Sequence, residues 1–372
     1  MKKVVFLTFN DAPSGIFSGQ VIDVCRFLKE ECKADITLIA FISIRNFSEN
    51  KKKIKAGFPG AVVLRMFPKM RNWKLNRIFL KRYIRKINPE IIIARGPFAT
   101  NLALQFSKQG RKICFDGRGA YVPELKEYNV VPDESVKHEI DRVERKAVLG
   151  ADFRIAVSEA LVAYWKRSFQ YSGNAHAVIP CTLNSLSIPK IDFKQTAKTV
   201  NGFQPGDIII AYSGSNAGWQ SLNDLSEKLL PAFRKNSALK LLLLLKNVPD
   251  DFALKKEFPD RVQSAWVVPE KVTEILSSCD YGWLVREHSV TNEVASPVKF
   301  AEYLVSGLPV IISEGLGDYT EFVRVHHCGM IWKDAENEFQ KISTDEKIRL
   351  HQLALDHFTK EKFKEAYLSV LK

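Results

Sequence analysis

The stretch "ASPVKFAEYLVSGLPVI", Ala295 to Ile311, sets a serine, a lysine and an acid in what reads as one short helix. Pro297 suits the first turn, Lys299 falls in that turn, Glu302 lies one turn on, and Gly307 closes the helix before an apolar strand. Free N–H groups at such a start, together with Ser296, favour an anion. Glu302 stands among Phe300, Tyr303 and Leu304, so its carboxylate is partly desolvated unless something hydrogen-bonds it. Two hydroxyls of a ribose would do so. The plain alternative is a surface acid paired with Lys299 at i to i+3.

Three further stretches carry polar groups at strand ends. "ICFDGRGAYVPE" places Asp116 and Arg118 at a strand tip, flanked by Gly117 and Gly119, with both charges exposed. An arginine there can grip a phosphate or carboxylate through two parallel hydrogen bonds, or simply pair with Asp116. Arg95, in "IIIARGPF", ends the neighbouring strand and can converge on them. "NDAPSGIFSGQ" joins the first strand to the first helix through a loop flanked by Gly15 and Gly19, and "YSGSNAGWQS" does the same later with Ser213, Gly214 and Ser215. Small residues let backbone N–H groups reach an anionic ligand at a helix start. Neither loop is G-x-G-x-x-G and neither ends in G-K-[ST], so a dinucleotide fingerprint and a P-loop are both absent. An ordinary βα turn explains the first loop equally well.

These side chains hang on an alternating frame. "KVVFLTF", "DITLIAFIS", "GAVVLRMF", "EIIIARG", "KICFDGRG" and "DFRIAVS" read as continuous apolar strands separated by helical stretches. That is the signature of a parallel sheet covered on both faces. Periodicity lapses between Ser185 and Gly206, then restarts with "IIIAYSGS", "LKLLLLLK", "YGWLVRE" and "PVIIS". The expectation is two doubly wound α/β domains, 1–185 and 207–355, with a linker over 186–206 and a C-terminal helix over 356–372. Ligands of such sheets bind beyond the carboxyl ends of the strands. A chain of 372 residues also exceeds what one core usually fills, about 250–300 residues.

The longest apolar run, Leu239 to Leu245, is too short to cross a bilayer, which takes about 20 residues. The N-terminus reads as a first strand of a cytoplasmic protein. The six cysteines form no C-x-x-C pair and no zinc spacing, so they are expected to be reduced and no metal site is expected. The net charge of +13 fits nucleic acid, an anionic membrane, an anionic substrate or a solvated lysine-rich surface. No RNA-stacking motif accompanies it, which argues against nucleic acid. Much of the excess falls in "KMRNWKLNRIFLKRYIRKINPE", Lys69 to Glu90. This is either a basic amphipathic helix on anionic headgroups or a domain helix with its apolar side inward.

Taken together, the chain resembles two-domain, nucleotide-sugar-dependent glycosyltransferases of the GT-B fold, of the glycosyltransferase family 4 kind. The likeness covers nearly the whole chain. "SPVKFAEYLVSGLPVI" is its most specific part and is similar to that family's donor-site helix; "ILSSCDYGWLVRE", "IAVSEALVAYW", "VIPCTLN" and "FDGRG" follow in the expected order.

The resemblance implies two Rossmann-like domains with a cleft, and Glu302 on the ribose of a UDP- or GDP-sugar. The diphosphate would lie against Ser213, Gly214, Ser215 and the helix start at Ser296 to Lys299. A glycan or lipid-linked acceptor would enter near Gly15, Asp116 and Arg118. Transfer would retain configuration, with no metal and no cofactor, at the cytoplasmic face of a membrane. The alternatives are a nucleotide-sugar epimerase of the same fold and a binding protein that has lost catalysis.

Three departures stand out. The family usually has a second acid eight positions before Glu302, where this chain has Val294, next to Glu293 and Asn292. Ser215 and Gln220 stand where the phosphate loop usually has Arg and Lys, leaving Lys246, Arg286 or Lys299 to supply positive charge. The usual histidine is missing from "FDGRG".

Overall fold

A computed structural model of the chain describes residues 1–128, 134–194, 202–214, 222–249, 251–333 and 338–372. It divides into two compact units. The first comprises Met1–Thr182, Val294–Ser296 and Lys360–Lys372, and the second Leu183–Glu293 and Pro297–Thr359.

The first unit is built on a parallel sheet of β1 (Lys3–Phe9), β2 (Asp35–Ile42), β3 (Val62–Arg65), β4 (Ile91–Arg95), β5 (Lys112–Gly117), β6 (Phe153–Ala156) and β7 (His176–Val178), in the order β3-β2-β1-β4-β5-β6-β7. Successive side chains point to opposite faces, so each continuous apolar strand feeds two cores. Val4, Phe6, Leu38, Ile93 and Ile155 pack on one face with Tyr367, Val370 and Leu371 from the helix Lys364–Leu371. Val5, Leu7, Ile39, Ile92 and Ile113 pack on the other with Trp73, Leu80 and Ile84. Fully burying a side chain of this size is worth about 1.5–3 kcal/mol, so the C-terminal helix is an integral part of this unit.

The second unit repeats the pattern with β8 (Ile208–Ser213), β9 (Leu239–Leu244), β10 (Val262–Ala265), β11 (Tyr281–Leu284), β12 (Val310–Ile312) and β13 (Gly329–Ile331), in the order β10-β9-β8-β11-β12-β13. Every strand pair in both sheets is parallel. The two units are therefore Rossmann-like α/β domains. In each sheet the strand order turns around beside the first strand, between β1 and β4 and between β8 and β11. Crevices for ligands in open parallel sheets open at such switch points.

The six cysteines are free, and Cys25, Cys114, Cys279 and Cys328 are buried. Among the described residues no helix is long and apolar enough to cross a membrane.

Candidate functional site

At the switch point of the second sheet, β8 ends in Ser213 and is followed by Gly214. Ser215 and the rest of that turn, 215–221, lie outside the described residues. The helix Val298–Val305 runs alongside, with Pro297 in extended backbone just before it and Gly307 in the left-handed region just after it, at φ 77°. A side chain at Gly307 would also collide with Phe193 and Lys347. The helix buries Phe300, Ala301, Tyr303, Leu304 and Val305 and leaves Lys299 and Glu302 partly exposed on the remaining face.

Tyr303 fixes this helix to the strand ends. Its hydroxyl accepts a hydrogen bond from Ser213 N at 2.9 Å and donates to Trp283 O at 3.2 Å. Its ring lies so close to Gly282 that no Cβ would fit there. The sequence shows Gly282 and Tyr303 as unrelated residues; only the packing of helix on strand joins them.

Lys299 and Glu302 themselves are left open. Among the described residues neither side chain makes a hydrogen bond or a close ion pair, although the two charges on successive turns still favour one another. Burial pushes the Glu302 carboxyl above its ordinary range, with Lys299 opposing. Burial pulls the Lys299 ammonium down, Glu302 opposing and Arg286 adding to it. A cation and an acid that are partly desolvated and uncommitted are what a ligand bearing both phosphate and hydroxyl groups would engage. Arg286 follows β11 and donates from Nη1 to Asn292 Oδ1 at 3.2 Å, so the buried Asn292 serves to orient this cation. Lys246 is exposed two residues beyond β9.

Ser296 is placed elsewhere. With Val294 and Ala295 it belongs to the first unit. Its hydroxyl accepts a hydrogen bond from Cys181 N at 2.9 Å, and Val294 O accepts one from Ser158 Oγ at 2.7 Å. Val294 is fully buried, which is why an apolar residue stands at that position.

At the switch point of the first sheet the polar groups are committed to one another. Asp116 is 3% exposed, not an exposed tip charge. Its carboxylate meets Arg95 Nη1 at 3.4 Å and Arg118 Nη1 at 3.3 Å. Arg95 Nε also meets Asp11 at 3.4 Å. Arg118 Nη2 donates to Gln20 Oε1 at 3.0 Å and to Cys181 Sγ at 3.4 Å, and Gln20 Nε2 donates to Thr182 O at 2.9 Å. Lys360 Nζ donates to the same carbonyl at 3.2 Å, and burial pulls its pKa down to about 8. Gly117 carries no side chain because Trp165 packs against it.

Gly15 and Gly19 lie within a helical run, not beside a loop. Ser14 caps it by accepting from Phe17 N at 3.2 Å, and the run continues through a π-turn, Ser18–Ile22, that buries Gln20. The capping serine was the available signal for this early start.

Beside the committed cluster opens a cavity of ≈ 290 Å³, and it holds residues that the strand-end motifs did not single out. Asp11, Tyr121 and Glu124 line it with Arg95, Phe9 and Phe98. Burial raises the Asp11 carboxyl, partly offset by Arg95, and burial alone raises Glu124. Tyr121 and Glu124 arrive on a helix, Tyr121–Tyr128, whose first N–H groups donate to the buried Glu144 carboxylate at 3.1 and 2.8 Å. Burial pushes Glu144 up to about 8 in spite of those two donors.

No family model matches the sequence, and no curated protein matches it. Solved structures do share its fold. The Anabaena protein HepE in complex with UDP superposes with a TM-score of 0.71 at 12% identity, covering 99% of each chain. Sucrose-phosphate synthase from Thermosynechococcus elongatus gives 0.69 at 13% identity, over 100% of this chain and 98% of that one. A putative UDP-N-acetylglucosamine 2-epimerase from Listeria monocytogenes gives 0.55 at 11% identity, over 100% and 90%. At such identities the likeness establishes architecture: two Rossmann-like domains in the arrangement of strands and helices of the GT-B fold.

Proposed function

We propose that this protein is a glycosyltransferase that moves a sugar from a nucleotide diphosphate sugar, with UDP or GDP as the nucleotide, to a glycan or lipid-linked acceptor. The observation that carries this reading is the pair Lys299 and Glu302. They stand side by side on one helix at the second switch point, partly desolvated and uncommitted, with Tyr303 tying that helix to Ser213. The binding of UDP by HepE, a protein of the same architecture, supports it.

In this reading the Glu302 carboxylate accepts the two ribose hydroxyls. Lys299, the N–H groups at the start of Val298–Val305 and the backbone at Ser213 and Gly214 face the diphosphate. As the glycosidic bond to the leaving phosphate oxygen breaks, negative charge grows on the diphosphate, and fixed cations and N–H donors lower the barrier by meeting it. Arg286 and Lys246 add positive charge around it. We assign the acceptor to the first unit, where the ≈ 290 Å³ cavity offers Asp11, Tyr121 and Glu124 as hydrogen-bond partners. Asp116, itself paired with Arg118, holds Arg95 in the wall of that cavity. Transfer proceeds with retention, and the protein works at the cytoplasmic face of a membrane.

The test is a panel of UDP- and GDP-sugars read by thermal shift and by sugar release, with Glu302→Ala alongside. A ligand that binds only the folded form raises the melting temperature by mass action. Binding of at least one nucleotide sugar, lost in Glu302→Ala, is expected. If no nucleotide sugar binds, the proposal fails. Epimerised donor without any acceptor would assign the fold to an epimerase instead.

A further inference from the structure

The basic stretch Lys69 to Glu90 folds as a 3₁₀ segment, Met70–Asn76, followed by the helix Arg77–Ile87. Leu80 and Ile84 are fully buried against the first sheet. That settles the inward side, but apolar residues also stand on the outward side. Ile78 is 63% exposed, Phe79 47% and Leu75 40%. At 100° per residue, Ile78 and Phe79 share the solvent face with Arg82, Arg85 and Lys86 and lie opposite Leu80 and Ile84. All three of these cations are exposed, and among the described residues none makes an ion pair or a hydrogen bond. A groove of ≈ 720 Å³ adjoins the start of the helix, rimmed by Lys74 and Arg77 and, from the helix Glu134–Gly150, by Arg142 and Lys146. Among the described residues Glu139 is the one acid paired with this rim, held by Lys74 at 2.7 Å and Arg142 at 3.2 Å.

We propose that this face is a docking surface for an anionic phospholipid bilayer. Apolar side chains that stay in water on a folded surface mark an interaction site when they cluster. Here they are ringed by uncommitted cations, so the complementary surface is apolar within and negative at its rim. A leaflet of anionic lipid has that make-up: Leu75, Ile78 and Phe79 enter the boundary between headgroups and acyl chains while Arg82, Arg85 and Lys86 meet lipid phosphates. The groove accommodates further headgroups beside the helix. The partner deepens the reading of a membrane-bound acceptor given above, and it is testable without any sugar.

The experiment is sedimentation of the full chain with vesicles of phosphatidylcholine alone or mixed with phosphatidylglycerol, at low and high salt. Binding is expected to the mixed vesicles only and to weaken with salt. Each basic residue near such a surface is worth about 1 kcal/mol, so Arg82→Gln/Arg85→Gln/Lys86→Gln should weaken binding by about a hundredfold. Ile78→Ser/Phe79→Ser should weaken it at low and high salt alike. Both variants alter exposed positions, and unchanged melting temperatures and unchanged nucleotide-sugar binding are the controls.

Three results would overturn the proposal: no vesicle binding, equal binding to both vesicle types, or variants that bind as the parent does. A patch variant that converts a dimer to a monomer, with vesicle binding intact, would assign the face to a second copy of this chain and overturn it too. Vesicle binding without nucleotide-sugar binding would sink the transferase reading and leave this one standing; the reverse would sink this one alone.

Discussion

The two switch points are built on the same strand order and used in opposite ways. In the first sheet, Asp11, Arg95, Asp116, Arg118 and Gln20 are linked in a chain of contacts that ends on the carbonyl of Thr182, with only Arg118 Nε of that chain buried without a partner among the described residues. In the second sheet, Lys299 and Glu302 make no such contacts among the described residues, and the residue that is fully committed is the tyrosine beside them. Charges that are mutually satisfied hold structure. Charges left partly desolvated without partners carry a cost that the fold keeps only where a ligand offsets it. The number of charged residues at a strand end therefore says little; what matters is whether they are already spent on each other.

Breaking one member on each side should separate the two roles. The largest effect is expected from Asp116→Ala, which leaves the guanidinium groups of Arg95 and Arg118 buried without their carboxylate. Removing one partner of a buried pair costs about 3–5 kcal/mol, seen as a lower urea midpoint, and any loss of nucleotide-sugar binding should follow the loss of fold. If Asp116→Ala keeps its midpoint and loses only turnover, the first cluster is a reaction site and the contrast collapses.

Next comes a pH effect confined to the first unit. The Glu144 carboxyl, pushed up to about 8, holds its proton in the folded chain at pH values where the unfolded chain has lost it. Its contribution to stability is present in full below pH of about 4.5 and is lost progressively as pH rises towards 8. Glu144→Gln, which cannot ionise, should flatten that part of the stability–pH curve measured by urea unfolding. A slope unchanged in the variant would move the titration elsewhere.

Glu302→Ala is expected to do the reverse of Asp116→Ala. Two hydrogen bonds to a charged group are worth roughly 1.5–3 kcal/mol each before the cost of uncovering water, so nucleotide-sugar affinity should fall by about a hundredfold in calorimetric titration. The urea midpoint should hold or rise, because burial disfavours this carboxylate. A midpoint that falls with unaltered affinity would make Glu302 a structural acid. The smallest effect belongs to Tyr303→Phe, which leaves Ser213 N without its acceptor at a cost of about 1–2 kcal/mol. It should lower stability and affinity together, unlike either acid.

Much of the frame was legible in the sequence because a strand buried on both faces must be apolar along its middle, and the runs 4–7, 91–94 and 241–245 are. The helix around Glu302 was legible from local signals, a proline before it and a glycine after it. The contents of the first switch point were not. Asp11, Tyr121 and Glu124 reach one cavity only because Glu144, some twenty residues on, caps the helix that carries two of them. Ser296 reads as part of the donor helix start, yet its hydroxyl is engaged by Cys181 of the first unit. Local pattern reports periodicity and caps; it cannot report which distant backbone group has already claimed a side chain. The outward Ile78 and Phe79 went unread for a related reason. A basic helix with apolar residues on two sides looks, as a string, like one with a single broad apolar face.

The way the chain is shared between its units bears on how it is made. The sheet whose strands come earlier in the sequence draws a covering helix from Lys364–Leu371, and Lys360–Lys372 belongs with it. Val4, Phe6, Leu38 and their neighbours on that face must therefore wait, incompletely roofed, while the whole of the second sheet is synthesised. Domains usually mature in the order of translation; here the unit whose strands come earlier in the sequence is completed after the later one, and a chain halted before residue 360 would leave that earlier sheet open on one face.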